Sequence, residues 1–519
     1  QSEEFSLLLP PMPQPELSGP IIKFEKLTLN FSTPSDSAFL KNTKGSVSLI
    51  TNTFVGEGGS FDWSPAGLGP DSVYFDFRAY HFDVSKPEIK ADQGKITYKG
   101  KIRGKEEGIF EFKSVRHKDP ASSNYPRYMS LRSNIPMLGL SDEKMKYIGG
   151  FALNGRRIYS SSVDGDFATL EVLGDTDKKF EARSRLFEFK DSVIMAKHAL
   201  VKIFQENDSI FHPAVELRYD YGKKRLVIQK EKGQMKDAPF TSSFFNVDFA
   251  TDHLRWDLKS DSMNMFAAGG RSQASMIIES IDFYDPEDFR LLGGIGFTFH
   301  PLALVANYAI NNGVREFYEN DLVRSLNIKP EAIRMGMSFL AQKGMIGYNP
   351  ISGLIQVKDK TLHFFEASKN NTDYDNLKIH SVMDGPANAT INFRKGRMTV
   401  RGVEEFKVSD SLNVVIKPDS STITILKDRD IKFDGKITAG NFEINGKDFM
   451  LKYDSFFINL NHIDSIRFYI TETNAKGQTT RRRVNNAMVG ADSVASIVGG
   501  LPHNSSQSSG TLFVSKPDN

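Results

Sequence analysis

The sequence predicts a mainly β, multidomain protein built from stacked β-sandwich or jelly-roll-like layers, with one inserted winged-helix-like α module. Three observations predict it. Apolar residues alternate through most of the chain in short runs separated by glycine and polar turns, at the spacing of about 8 to 12 residues per strand that layered antiparallel sheets show. Helical spacing appears only from Pro286, and the β pattern resumes after Phe365. The 519 residues, 39% of them hydrophobic, are enough for roughly three or four domains.

Residues 1–20 are rich in Pro and polar residues, which predicts an extended arm. A first β domain spans 21–120, with apolar positions at Phe24, Leu27, Leu29 and Phe31. Residues 73–84 are dense in aromatics, but Phe75 and Phe77 share one phase while Phe82 and Val84 share the other. That slip predicts a bulge near Ala79-Tyr80. A second β domain, 121–280, carries a hairpin signal at Asn154-Gly155 and a turn at Tyr221-Gly222-Lys223-Lys224. A third, 361–473, has glycines at turn positions Gly435, Gly440 and Gly446. Gly435-Lys436-Ile437-Thr438 echoes Gly94-Lys95-Ile96-Thr97, too short a match to establish a repeat. Residues 474–519 read as a polar loop, and the chain is expected to continue beyond Asn519.

The α module spans 281–360. An acidic start follows Pro286, and a second helix over 300–312 stops at Gly313. Asn320 is placed to cap a helix over 321–326. Pro330 sits in the first turn of the next helix, where its missing N–H costs little. That helix buries Ile333, Met337 and Leu340 at i, i+4 and i+7, and Gly344 ends it. Residues 345–357 then read as a hairpin, the wing.

The chemistry the sequence offers is narrow. There is no Cys, which excludes disulfides, thiolate metal sites and cysteine catalysis in this chain and favours an oxidising compartment such as a periplasm. Lys plus Arg is 66 against 64 Asp plus Glu, so no global field draws nucleic acid. The helix after Pro330 carries Lys329, Arg334 and Lys343 against Glu331, too few cations for a DNA-reading helix, so a packing or partner-contact role is expected. The ten histidines include no His-Glu-x-x-His spacing. Asp164 with Asp166, and Asp373 with Asp375, are read as turn residues rather than as catalytic or calcium-binding carboxylates. Leu291-Leu292-Gly293-Gly294-Ile295-Gly296 lacks the Lys-Ser/Thr of a phosphate loop. The Arg481-Arg482-Arg483 run is read as a solvated loop, and the aromatics as core. No catalytic, cofactor-binding or metal residue is assigned, and no stretch is long and apolar enough for a transmembrane helix.

Several segments carry a resemblance: Arg315-Glu316-Phe317-Tyr318 through Lys343-Gly344, Thr372-Asp373-Tyr374-Asp375, Arg401-Gly402-Val403, Ser409-Asp410-Ser411, Phe456-Phe457-Ile458-Asn459-Leu460 and Ile463-Asp464-Ser465. Over roughly residues 180–519 the chain resembles a group of very large exported proteins of Bacteroidota. The resemblance implies a non-enzymatic periplasmic subunit of an outer-membrane protein transport machine. Such a subunit would close the periplasmic end of the type 9 translocon, with a large outer-membrane β-barrel and accessory subunits as partners, no nucleic acid and no cofactor. The alternatives are a glycan-binding or glycan-processing exported protein and an outer-membrane assembly factor.

Overall fold

The structure, a computed structural model, describes residues 13–33, 36–139, 144–175, 177–230, 238–267, 275–293, 296–326, 328–350, 353–372, 374–409, 412–473, 479–483, 488–489 and 508–514. It is mainly β, with 53% strand and 14% helix. The chain divides into two compact units, Gln1–Ala199 with Arg218–Gly222, and Leu200–Leu217 with Lys223–Asn519.

In the first unit, the long strands Asp36–Ser48 and Glu88–Tyr98 are each shared by two ribbons. Thr53–Glu57 and Ala79–Asp83 pair with one half of each long strand, and Ser60–Asp62 and Val73–Phe77 with the other half. Their inner faces close on an aromatic core. Phe77 of one ribbon meets Tyr80 of the other at 4.9 Å between ring centroids, and Phe75 stacks on Phe110 at 4.9 Å. The phase slip at Ala79-Tyr80 is therefore not a bulge. The chain leaves one ribbon at Phe77 and enters the other at Ala79, so its two apolar phases face one core from two sides.

The second unit repeats this construction. Ile431–Ala439 pairs through Ile431 and Lys432 with Thr422–Ile425, and through Gly435 to Ala439 with Val414–Pro418. The echoed tetrapeptides stand at equivalent places. Each glycine follows a register shift in a shared strand, and each faces another glycine across the next pairing, Gly94 against Gly108 and Gly435 against Gly446. Backbone approach demands them. A Cβ on Gly94 would lie 2.2 Å from Phe75, and one on Gly435, whose φ is +143°, 2.4 Å from the Lys417 carbonyl oxygen.

One ribbon of this unit runs through Phe240–Ser242, Val247–Ala250, Ser275–Ser280 and Lys378–Val382. The last two are antiparallel neighbours, yet residues 281–377 intervene between them. That insertion is the α module: α1 Pro286–Leu292, α2 Pro301–Asn312, α3 Glu319–Leu326, α4 Pro330–Gln342 and α5 Asp359–Ala367, with strands Glu316–Tyr318, Ile346–Asn349 and Leu354–Val357. The two wing strands pair as expected, and Glu316–Tyr318 adds a third strand that alternation over so few residues did not signal. Asn320 is not a cap. The helix begins at Glu319, and the preceding Tyr318 N–H is taken by the Asp321 carboxylate at 2.9 Å. The module has its own core, in which Leu302, Val305, Leu322, Ile333, Met337, Leu340 and Ile355 are fully buried. The Arg-rich run lies on strand Thr479–Arg483, paired with residues 469–473, rather than in a loop.

The glycine positions make a test. Gly435→Ala is expected to lower stability by more than about 2 kcal/mol, because the backbone and the Lys417 carbonyl both oppose a side chain. Gly440→Asn, in the same hairpin at φ +55° with open space around it, is expected to cost less than about 1 kcal/mol. Thermal unfolding of the two variants checks this, and equal losses would contradict it.

Candidate functional site

The outward face of α4 is the candidate site. Pro330 at the first turn and Gly344 at φ +75° bound the helix. Its inner face is set by Ile333, Met337 and Leu340, with Gly336 letting Phe299 and Pro301 approach to within 3.5 Å of where a Cβ would stand. The opposite face borders an open depression of about 730 Å³. Arg334, Met335, Ser338, Phe339, Gln342 and Lys343 of α4 and its C-cap line one side, and Leu291, Phe297, Tyr348 and Pro350 the rest. Phe297 and Phe339 meet at 5.8 Å, while Met335 and Leu291 are more than half exposed, at 63% and 56%.

Electrostatics separate this face from a DNA reader. Residues 286–367 hold eight Lys/Arg and eight Asp/Glu. Arg334, at the centre of α4, donates from Nε to Glu319 Oε1 at 2.8 Å, and the Tyr348 hydroxyl donates to Glu319 Oε2 at 2.5 Å. Burial first, and then Glu319, pushes the Tyr348 phenol well above its ordinary range. Arg315 pairs with Asp359 at 3.1 Å and Arg290 with Glu287 at 2.6 Å. Lys360 is buried, and Lys358 is turned to a hydroxyl partner. That leaves Arg324, Lys329 and Lys343 as cations with no carboxylate among the described residues, too few for the phosphate contacts a recognition helix needs.

The site stands on a buried ionic foundation. At the start of α5, Lys360 Nζ donates to Asp248 Oδ2 at 3.1 Å and to Glu279, and Asp248 also accepts from the Thr241 hydroxyl at 2.7 Å. Lys358 Nζ donates to that Thr241 oxygen at 2.8 Å, and Lys378 holds Glu279 at 3.3 Å. Lys360 and Asp248 are within 3% of complete burial. Burial alone would lower the Lys360 ammonium, but Asp248 and Glu279 outweigh it and hold the group above its ordinary range. Burial would raise the Asp248 carboxyl, but Lys360 and Lys358 hold it below. The Lys360 contribution is therefore fully present below the ordinary amine pKa and fades as pH rises through its raised value. That of Asp248 is present above the ordinary carboxylate pKa and fades as pH falls through its lowered value.

A second cluster clamps the two crossings between module and sheet. Ser280 Oγ and the Tyr453 hydroxyl both donate to Asp375 Oδ2, the former at 2.7 Å. Arg429 Nη1 donates to Asp282 at 2.5 Å and to Ser280 Oγ at 2.9 Å, and its guanidinium lies 3.8 Å from the centre of the Tyr453 ring. Burial holds the Asp375 carboxyl above its ordinary range despite these donors.

The residues weighed in the sequence fall as follows. Asp164 accepts from the Asp166 N–H at 3.3 Å and the Ser162 hydroxyl at 2.7 Å within its own turn, and ties that turn to the distant Ser133, whose N–H it accepts at 2.9 Å. Asp375 is a buried clamp residue, and Asp373 lies outside the described residues, as do Gly294 and Ile295. Arg482 and Arg483 are exposed on their strand. No group of three or more His, Cys, Asp or Glu residues able to hold a metal occurs among the described residues. His212 is fully buried between the Ala238 carbonyl and the Ala214 N–H, and burial pushes it down to about 3. Sequence reasoning missed α5 and the roles of Lys358, Lys360 and Arg429. Lys358-Asp359-Lys360 has the composition of an exposed turn, and nothing local marks it as buried.

Lys360→Met should destabilise the second unit by about 3–5 kcal/mol, because Asp248 is left charged in a dry site. Adding Asp248→Asn should recover a large part of that loss, since Glu279 keeps Lys378. Denaturant unfolding of both variants checks it, and strictly additive losses would contradict the coupling. No protein-family model, curated protein or solved structure matches this chain.

Proposed function

We propose that this chain is a non-enzymatic periplasmic subunit of an outer-membrane protein transport machine, a plug for the periplasmic end of the type 9 translocon barrel. In this reading the winged-helix module is its fixed docking element. The observation that carries the docking role is the α4 face. Where a DNA reader has a basic helix, this one has Met335, Phe339, Phe297, Leu291 and Pro350 around a depression whose only charged lining residues, among the described residues, are Arg334 and Lys343. A face of this kind suits an apolar polypeptide segment with acidic flanks, contributed by the barrel or an accessory subunit. The absence of Cys and the resemblance over residues 180–519 support the periplasmic, translocon-associated setting. A plug needs rigidity and surface rather than a cofactor, and the buried ions under α5 supply rigidity where the module meets its sheet.

Affinity purification of the tagged native protein from membranes, with mass spectrometry of what accompanies it, tests this. The expected result is a large outer-membrane barrel with the wild-type chain. Met335→Glu, on an exposed side chain that supports no core, should reduce its recovery by about ten-fold or more. Recovery of the chain alone would contradict the translocon role, and undiminished recovery with Met335→Glu would contradict docking at α4.

A further inference from the structure

We propose that an amphipathic trough on the outward sheet face of the first unit binds a neutral oligosaccharide. The inference is independent of the α4 face and of the transport reading. The strands Glu106–Lys113, Arg127–Ser130, Ala152–Asn154 and Arg157–Tyr159 pair in that order, and their inward residues Phe110, Tyr128, Leu153 and Ile158 are buried. Their outward residues form two parallel rows. In one, Ile109, Met129, Ala152 and Tyr159 stand directly opposite one another across successive strands. In the other, two residues along, Lys90 of Glu88–Tyr98 faces Glu111, Glu111 faces Arg127, and Arg127 faces Asn154. Ala152 is small between Met129 and Tyr159, and the surface dips there into an open depression of about 520 Å³, within the size range of ligand sites. Three strand spacings of about 4.8 Å make the apolar row roughly 14 Å long, the reach of a short oligosaccharide.

The chemistry of the lining selects the occupant. Every strand of the trough is paired on both edges, Arg157–Tyr159 by Phe187–Lys190 on its far side, so no open edge is left for a peptide to join as a strand. An acyl chain would cover the polar row without giving it partners. An ionised ligand meets no net charge, because Lys90 and Arg127 balance Asp92 and Glu111 in the lining. Lys90 holds Glu111 at 3.2 Å, and Arg127 lies 3.7 Å from the same carboxylate. Arg127 is further fixed by its Nε bond to the Asn124 carbonyl at 3.1 Å and by the Tyr125 ring, whose centre is 4.3 Å from its guanidinium. Asp92, Asn154, Tyr159 and Ser161, in contrast, line the depression with side-chain polar groups that no other described residue engages. They offer an amide that donates and accepts, two hydroxyls and a carboxylate, beside one aromatic face. A pyranose has the matching surface: C–H groups on its ring faces for Tyr159 and Met129, and hydroxyls that both donate and accept around its rim.

Isothermal titration calorimetry of the full chain with cellohexaose, laminarihexaose, mannohexaose, chitohexaose and maltohexaose tests this, with hexagalacturonate as an acidic glycan of equal length. The expected result is one-to-one binding of at least one neutral sugar, and weaker binding of the acidic one. Asn154→Ala removes the free amide and should weaken binding by about ten-fold. Tyr159→Leu should weaken it as much, whereas Tyr159→Phe keeps the ring and should stay within about three-fold of wild type. Ala152→Met, which fills the dip, should abolish it. Thermal melting shows which variants fold as wild type does, and if Ala152→Met does not, the half-buried Asn154 decides. Met335→Glu, in the other unit, should bind sugar as wild type does, so this proposal and docking at α4 fail separately. Binding of none of the neutral sugars overturns the proposal. So does tighter binding of hexagalacturonate, or binding indifferent to Asn154→Ala and Tyr159→Leu.

Discussion

The Lys360 ammonium is the interaction on which the functional side of this molecule depends. It sits at the start of α5, out of reach of water, between Asp248 on one strand of the ribbon and Glu279, paired with it on the adjacent strand. A cation in that position is tolerated only while carboxylates face it, and Asp248, buried as deeply, depends in turn on Lys360. Apolar packing could slide along the sheet at modest cost. A dry charge with two defined partners has one position of low energy. The module is thereby fixed in orientation as well as in place, and the α4 face with it. The Arg429–Asp282–Ser280–Asp375–Tyr453 cluster does the same at the two crossings, where the chain enters and leaves the insertion.

The β framework makes such an insertion affordable. Within each unit, long strands are shared by two ribbons, and glycine pairs mark where the shared strand changes partner. Residues 281–377 leave the ribbon and return to adjacent antiparallel strands, so the sheet hydrogen bonds close across the insertion as they would across a hairpin. Loop-closure entropy rises only slowly with length, and a folded module adds less still because its ends are held together by its own core.

Much of this was legible in the sequence, for reasons that are local. α2 runs from a proline to a glycine, α4 has Pro330 at its first turn and a buried i, i+4, i+7 stripe, and the wing is a short alternating hairpin. The mainly β class and the inserted helical module followed from such signals. What was illegible is non-local. The aromatic phases of residues 73–84 read as a bulge within one strand, whereas they belong to two strands in different ribbons, which only the partner strands reveal. α5 is nine residues long, opens on charged residues and carries Phe364-Phe365, which suits a strand as well as a helix. Arg429 finds Asp282 across 147 positions of sequence. The α4 face was half legible: its shortage of cations was readable, but the neutralisation of Arg334 by Glu319 and the contribution of Leu291 and Phe297 needed the fold.

If buried charge holds the winged-helix-like module in one orientation on its ribbon, module and sheet keep a single separation. A chain without Cys allows this to be measured directly, because two introduced cysteines are the only labelling sites. Spin labels at Arg324→Cys in α3 and Lys395→Cys in the turn after Ala389–Asn392 report the separation of module and sheet by double electron–electron resonance. A single narrow distance distribution that broadens or splits when Lys360→Met is added is the predicted result. A broad distribution in the otherwise unaltered chain, or a narrow one unaffected by loss of Lys360, would contradict it.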